Sequence, residues 1–258
     1  MSKPKFRCSG LGHLMTEPKN KADKDAGNLS EGAKTHVVDV WTSWKYRRRE
    51  EVYSKYIEKG NAVEEDAITL VSLETGIFHK KNATTLENDW IAGTPDLFIG
   101  ESIDNAEFIE DTKASWDVFT FQRTKQKKLN DLYYWQMQGY MMLTGAKEAR
   151  LRYCLVNSTD DLIRDELRKL RYAMRLIDFE ETDGFVKRAA MIERNMIYDL
   201  SAFQKRYPNF DLYSNVSEWK YDIPQAERLY TIPIARDENA IEQIKLKVQK
   251  AWEYMENL

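Results

Sequence analysis

The sequence predicts a mixed α/β (α+β) domain: a central mixed β-sheet flanked by helices, with a helical C-terminal addition. Three observations predict it. The stretch Gly93 to Lys113 holds two short apolar runs, Leu97 to Ile99 and Phe108 to Ile109, on either side of a polar turn, the pattern of a β-hairpin. Around that hairpin the hydrophobic period alternates, giving the order helix, strand, hairpin, helix, strand. Beyond Asp160 the spacing is mostly helical. A chain of 258 residues suits a single domain around one good core.

In chain order, Cys8 to Lys24 opens with a small-residue turn and a short apolar stretch, read as a helix starting near Ser9. A serine there either caps the helix or holds a phosphate, because free N–H groups and the helix dipole favour an anion. Asn20 to Gly32 is polar, rich in Lys and Asp, and reads as an exposed loop. Ala33 to Glu58 carries Val37, Val40, Trp41, Trp44, Val52 and Tyr56 at helical spacing, one long helix or two consecutive ones. Gly60 to Gly76 is a helix with Val63, Ala67, Leu70 and Val71 along one side, closed by Gly76. Glu64 borders that apolar side, and Glu65 is rotated about 100° away. Ile77 to Trp90 adds a strand or two, with His79 as a surface histidine that lacks a partner at ligand spacing.

Leu129 to Gly145 is a helix with Asn130 near its start and Gly145 at its end. Gln136 and Gln138 lie about 200° apart on it, so they cannot both face one site. Gln138 shares a face with Tyr134, Met141 and Met142, the side expected to pack on the sheet, where a glutamine needs a partner. Ala149 to Asn157 is a strand with Leu151, Tyr153 and Leu155 on one face. Asp160 to Tyr207 reads as one or two long helices and Asn209 to Pro224 as loop-like. Leu229 to Ile234 is a strand that Pro233 confines to an edge or end. Asn239 to Leu258 is an amphipathic helix.

A net charge of −3 and a pI near 5.8 supply no global field for a polyanion, so any DNA contact must rest on local basic clusters. There are three: Lys45 to Arg49, Arg123 to Lys128 and Arg164 to Arg175. The third is interleaved with acids and reads as a solvated helix face. The second follows the strand that ends in Asp111-Thr112-Lys113, which makes Arg123 and Lys125 candidates for DNA backbone contact. The two cysteines, Cys8 and Cys154, cannot build a four-thiolate cluster, and nothing calls for a disulfide. The N-terminus lacks the apolar core of a signal peptide and no run reaches the length of a membrane span. A cytoplasmic location and no membrane partner are expected.

The hairpin carries the chemistry. Side chains alternate across a strand, so Asp111 and Lys113 project from one face and Glu110 and Thr112 from the other. With Asp96 at the mouth of the first strand, two carboxylates and an ammonium gather at one end of the sheet. Hard divalent cations prefer oxygen ligands, and a lysine beside them can orient or deprotonate a water and offset charge building on a phosphate. The set suits metal-assisted phosphodiester hydrolysis. Thr94-Pro95-Asp96 followed by Asp111-Thr112-Lys113 resembles the PD-(D/E)XK nuclease signature, with Asp in the D/E slot. The element order likewise resembles the αβββαβ restriction-endonuclease-like core of that superfamily.

Within the superfamily the chain resembles the lambda-type, YqaJ-like phage recombination exonucleases. Gly60-x-x-x-Glu64-x-Asp66-Ala67-x-Thr69-Leu70 is similar to the helix that gives the family its first acidic ligand. Gln136-Met137-Gln138 is similar to its Q-x-Q helix, whose second glutamine lies in the site, and Leu229 to Asn239 to its late strand and R-D-E turn. Ser9 and Lys19 fall where the family has a serine and an arginine that grip a DNA 5′-phosphate. An earlier arginine of that pocket falls near Ser2 and is missing, with Arg7 as a substitute. The resemblance implies that Glu64, Asp96, Asp111 and the Thr112 carbonyl hold one or two Mg²⁺ ions, Mn²⁺ being an alternative. It implies that Lys113 activates or positions the water and that Gln138 assists.

It further implies 5′ to 3′ digestion of linear double-stranded DNA from its ends, giving 3′ overhangs. The enzyme would be a homo-oligomer, a trimeric ring, working with a single-strand annealing recombinase. On this reading 1–258 is one nuclease domain, with an N-terminal helical DNA-end-binding part (1–59), a catalytic core (60–157), a helical addition (158–228) and a C-terminal strand and helix (229–258). The rivals are a restriction- or resolvase-like endonuclease with the same catalytic set, and a non-catalytic DNA-end-binding scaffold.

Overall fold

In the computed structural model, which describes residues 3–177, 181–206 and 222–258, the hairpin forms where the two apolar runs place it. Strand β4 (Leu97–Gly100) pairs antiparallel with β5 (Ala106–Ala114), Leu97 opposite Glu110 and Phe98 opposite Ile109. Gly100 turns the chain at φ 141° against the backbone of Ala106 and Glu107, where a side chain would be strained and crowded. β5 runs parallel to β6 (Glu148–Cys154), and β6 antiparallel to β7 (Leu229–Ala235). The sheet order is β4-β5-β6-β7. β7 is an edge strand, which lets it accept Pro233 opposite Arg150 without losing an inner ladder bond. A parallel pair needs a crossover, and α7 (Asp131–Thr144), capped by the Asn130 side chain and closed by left-handed Gly145, lies within the one joining β5 to β6. A second, smaller sheet has the order β1-β3-β2 and consists of β1 (Phe6–Arg7), β2 (Leu86–Glu87) and β3 (Ile91–Gly93).

Several helix boundaries differ from the sequence reading, each for a local reason. A 3₁₀ turn, Cys8–Gly10, precedes α1 (Leu11–Leu14), so Ser9 lies inside that turn and Gly10 occupies the cap of α1. The expected loop from Asn20 contains α2 (Lys21–Asp25), because the Asn20 side chain accepts from the Asp23 N–H. The stretch Ala33 to Glu58 forms two helices, α3 (Glu31–Tyr46) capped by Ser30 and α4 (Lys55–Ala62) capped by Ser54. The helix expected over Gly60 to Gly76 breaks at Val63, where α5 (Glu64–Thr75) begins after a residue at φ −120° and ψ 16°. After α6 (Val118–Lys125) and α7, the helical addition comprises three helices, not one or two. These are α8 (Asp160–Ala173), α9 (Asp183–Met196) and α10 (Leu200–Arg206), with Thr159 and Thr182 capping the first two. α11 (Glu238–Met255) closes the chain, capped by Asp237. Tyr207 and most of Asn209 to Pro224, including Trp219 and Tyr221, lie outside the described residues, as does Ser2. No helix among the described residues is long and apolar enough to cross a membrane.

The main core lies between the four-stranded sheet and α7, where Ile109, Met137, Met141 and Leu151 are fully buried. α8 and α9 bury their own cluster, including Leu162, Leu167, Phe185 and Ala189, which reaches the body through Trp116. α1 meets α7 at glycine: a Cβ on Gly12 would sit 2.5 Å from the Leu132 Cα. Gly12→Ala must push α1 and the Ser9 turn off α7, and is expected to cost about 1–3 kcal/mol. A urea midpoint equal to that of the parent, with unchanged slope, would show slack at this contact.

Lys59 is fully buried, and its Nζ donates to the Trp116 carbonyl at 2.8 Å. Burial, only partly offset by Asp117, pushes its ammonium down from the ordinary 10.5 to about 7. Between those values the unfolded chain binds the proton more tightly than the folded one, so stability rises with pH across that window. Urea midpoints measured from about pH 7 to pH 10 should show this rise in the parent, and Lys59→Met should lack that component. Parallel pH curves for the two proteins would disprove it.

Candidate active site

Asp96 is positioned by backbone contacts before its carboxylate is considered. Asn82 donates from its N–H to the Asp96 carbonyl at 2.8 Å and from Nδ2 to the Pro95 carbonyl at 2.9 Å, gripping the turn into β4. The carboxylate then accepts on Oδ2 from the N–H and the hydroxyl of Thr112, at 2.8 and 3.1 Å. Two residues along β5 on either side of Thr112, Asp111 and Lys113 form a close ion pair between Oδ2 and Nζ. Gln136 reaches down from α7, donating from Nε2 to Asp111 Oδ1 at 3.1 Å and contacting the Tyr140 hydroxyl at 3.0 Å. The Lys113 ammonium also stands 5.1 Å from the Tyr133 ring centre.

The electrostatics follow from burial and crowding. Burial first, and then the charge of Asp111, push the Asp96 carboxyl up to about 7, against the pull of Lys113 and the Thr112 donors. Burial draws the Lys113 ammonium down, but the charges of Asp111 and Asp96 outweigh it and hold the group above its ordinary value. For Asp96 the sign is the reverse of the usual carboxylate case. The folded chain holds the proton more tightly between 3.8 and about 7, so the metal-free protein loses stability as pH rises through that interval. In chelator, Asp96→Asn is expected to melt higher than the parent above neutrality and to lose this advantage as pH falls toward 4 or so. Equal melting temperatures above neutrality would refute the upward push on Asp96.

The opposite face of β5 carries Glu110, fully buried. It takes hydrogen bonds from Arg152 Nε at 3.1 Å and from Arg152 Nη2, and lies 2.9 Å from His79 Nε2. His79 is therefore a buried partner of Glu110 and not the surface residue its sequence context suggested. The segment that follows it works as a strap. His79 holds Glu110, Lys81 pairs with Glu64 at 2.5 Å, and Asn82 holds the turn carrying Asp96. Neither Lys81 nor Asn82 was singled out from the sequence, because their partners are far along the chain and no short motif links them.

A cleft of about 900 Å³ brings Ser9, Glu64, Asp96, Thr112, Lys113 and Gln136 to one surface. Other expected residues go elsewhere. Gln138 donates from Nε2 to the Ala235 carbonyl at 2.9 Å and accepts the Asp237 N–H at 3.0 Å, so it ties β7 to α11 while Gln136 faces Asp111. Lys19 lines a separate cavity with Glu17 and Lys250, apart from Ser9. Arg123 contacts Thr120 at 3.4 Å and Lys125 lies over the Phe121 ring, both outside the cleft lining, whereas Lys127 and Lys128 of the same basic run line it. Among the described residues no three His, Cys, Asp or Glu side chains already form a metal-holding group, since Glu64 is turned to Lys81.

A mixed sheet flanked by helices, with Asp96, Asp111 and Lys113 gathered at the β4–β5 hairpin, has the fold of the PD-(D/E)XK nucleases. A phage related exonuclease from Haemophilus somnus 129PT shares the fold with a TM-score of 0.65 at 29% identity, over 98% of this chain and 94% of that one. An alkaline exonuclease, LHK-Exo from Laribacter hongkongensis, shares it with a TM-score of 0.58 at 13% identity, over 98% and 88%. Residues 25–147 match the model of the YqaJ-like viral recombinase domain, so the chain is similar to that family over this stretch. No curated protein matches the sequence.

Proposed function

We propose that this protein hydrolyses linear double-stranded DNA from its ends in a divalent-metal-dependent reaction, running 5′ to 3′ and leaving 3′ overhangs for a single-strand annealing recombinase. The observation that carries the hydrolysis is buried Asp111, held between Lys113 and Gln136, which with Asp96 line an open cleft. The polarity, the trimeric ring, the recombinase and the division into an end-binding part, core and helical addition are supported by the family resemblance. Ser9, in the lining of the same cleft, suits a phosphate contact, as do Lys127 and Lys128.

The donor set fits Mg²⁺, with Mn²⁺ as the alternative. Asp96 and Asp111 offer hard carboxylate oxygens, the Thr112 carbonyl adds a neutral one, and Glu64 can join by leaving Lys81. Burial and then Asp111 push the Asp96 carboxyl up, a cost that a cation bound to both acids would relieve. A bound metal would polarise the scissile phosphate and make a water more acidic. Lys113, already charged, then orients the attacking water by donating to it and offsets phosphate charge. Gln136 fixes the Asp111 carboxylate, and Thr112 fixes that of Asp96.

The deciding experiment digests linear duplex labelled at the 5′ or the 3′ end, beside a closed circle, with Mg²⁺ and an Asp111→Ala control. Early release of 5′ label, a spared circle and an inert control are expected. A cut circle would assign an endonuclease instead, and an absence of metal-dependent cleavage would leave a DNA-end-binding scaffold. Lys113→Ala is expected to slow cleavage by about 10²- to 10⁴-fold while DNA binding persists. Gln136→Ala should cost about 10- to 100-fold as the partner of a ligating carboxylate, and Gln138→Ala should chiefly lower the melting temperature. A larger rate loss from Gln138→Ala than from Gln136→Ala would overturn that assignment.

A further inference from the structure

Beside the cleft lies a second groove of about 860 Å³ that the proposed chemistry does not use. Arg7 enters it from β1, and Arg47, Arg48 and Arg49 from the segment leaving α3; all four are exposed. None has an ion-pair partner among the described residues, whereas Lys5 on the same rim is matched by Glu87 at 2.7 Å. Against these four guanidiniums the lining offers only two carboxylates, Asp39 and Glu50. Ser9 lines both this groove and the cleft that holds Asp96 and Lys113, so the two cavities meet there.

In a chain of net charge −3, an unneutralised run of guanidiniums is a local field of the opposite sign, and its self-repulsion is relieved by a polyanion. Planar guanidinium forks match phosphate oxygens two at a time. Arg47 also ends α3 in the left-handed region, at φ 54°, where glycine is the usual choice; a side chain kept in that conformation points to use.

Resting on the nuclease reading above, we propose that this groove holds the sugar-phosphate backbone of duplex DNA ahead of the cut. Internal phosphodiesters lie on Arg47, Arg48 and Arg49, and the strand passes Ser9 into the cleft. The geometry assigns these arginines to a track for the whole duplex and not to a pocket for one terminal phosphate.

The test is equilibrium binding of fluorescein-labelled duplex, with a 5′-hydroxyl or a 5′-phosphate end, to the full chain in chelator across a salt series. The parent is compared with an Arg47→Gln, Arg48→Gln, Arg49→Gln variant whose fold is checked by urea midpoint. Each lost phosphate contact removes about 0.9 from the slope of log K against log salt, so a fall of about 2 to 3 is expected, equal for both ends. A variant slope matching the parent's overturns the track, and leaves the nuclease reading intact if Asp111-dependent cleavage persists. A loss confined to 5′-phosphorylated duplex also overturns it, in favour of a terminal-phosphate pocket. A parent that binds no duplex would remove both readings.

Discussion

The constraint on which the rest of the structure depends is that β5, an inner strand, carries buried acids on both of its faces. Glu110 and Asp111 are neighbours in sequence, almost entirely buried, and forced by strand alternation to opposite sides of the sheet. An uncompensated carboxylate in such a place is costly, and breaking a buried pair costs about 3–5 kcal/mol. Each acid must therefore find its own cation. Glu110 is met by Arg152 from the neighbouring strand and by His79; Asp111 is met by Lys113 and by the amide of Gln136. The two sets differ in openness. The Glu110 set is closed, and so braces the sheet. The Asp111 set reaches a cleft, which its partners Lys113 and Gln136 line.

That asymmetry explains how a short hairpin is held to a fixed geometry. The parallel pairing of β5 with β6 brings Arg152 alongside Glu110 and obliges the chain to cross over through α7, which in turn lowers Gln136 onto Asp111. The strap from His79 to Asn82 ties the closed side to the open one, since it holds Glu110 at one end and the Asp96 turn at the other. Close glycine contacts seat the N-terminal turn on α7 and so place Ser9 at the junction of cleft and groove.

Much of this was legible in the residues because it rests on short-range periodicity. The hairpin, the edge position of the strand with Pro233, the caps at Asn130 and Gly145, and the common face of Asp111 and Lys113 follow from alternation, turn chemistry and capping. The wheel argument for α7 showed that only one of Gln136 and Gln138 could face a given site, and the sequence reading chose Gln138, whereas Gln136 meets Asp111. That depends on how the crossover is rotated against the sheet, and the R-D-E turn claims Gln138 for its own backbone. Lys19 and Arg123 were assigned by position in a motif or a charge run, and the fold turned those positions outward or into another cavity.

By itself, then, the sequence determined the alternating order of helices and strands, because that depends on contacts within a few residues, and the gathering of Asp96, Asp111 and Lys113 at one sheet end, because a single hairpin brings them together. Only the tertiary structure decided which glutamine meets Asp111, that Lys81 pairs with Glu64, that His79 is interior, and that four arginines from two separate segments share one groove. Those outcomes join residues tens of positions apart. Their pairing is set by the packing of whole elements and by the need of each buried charge for a partner, neither of which leaves a periodic signal along the chain.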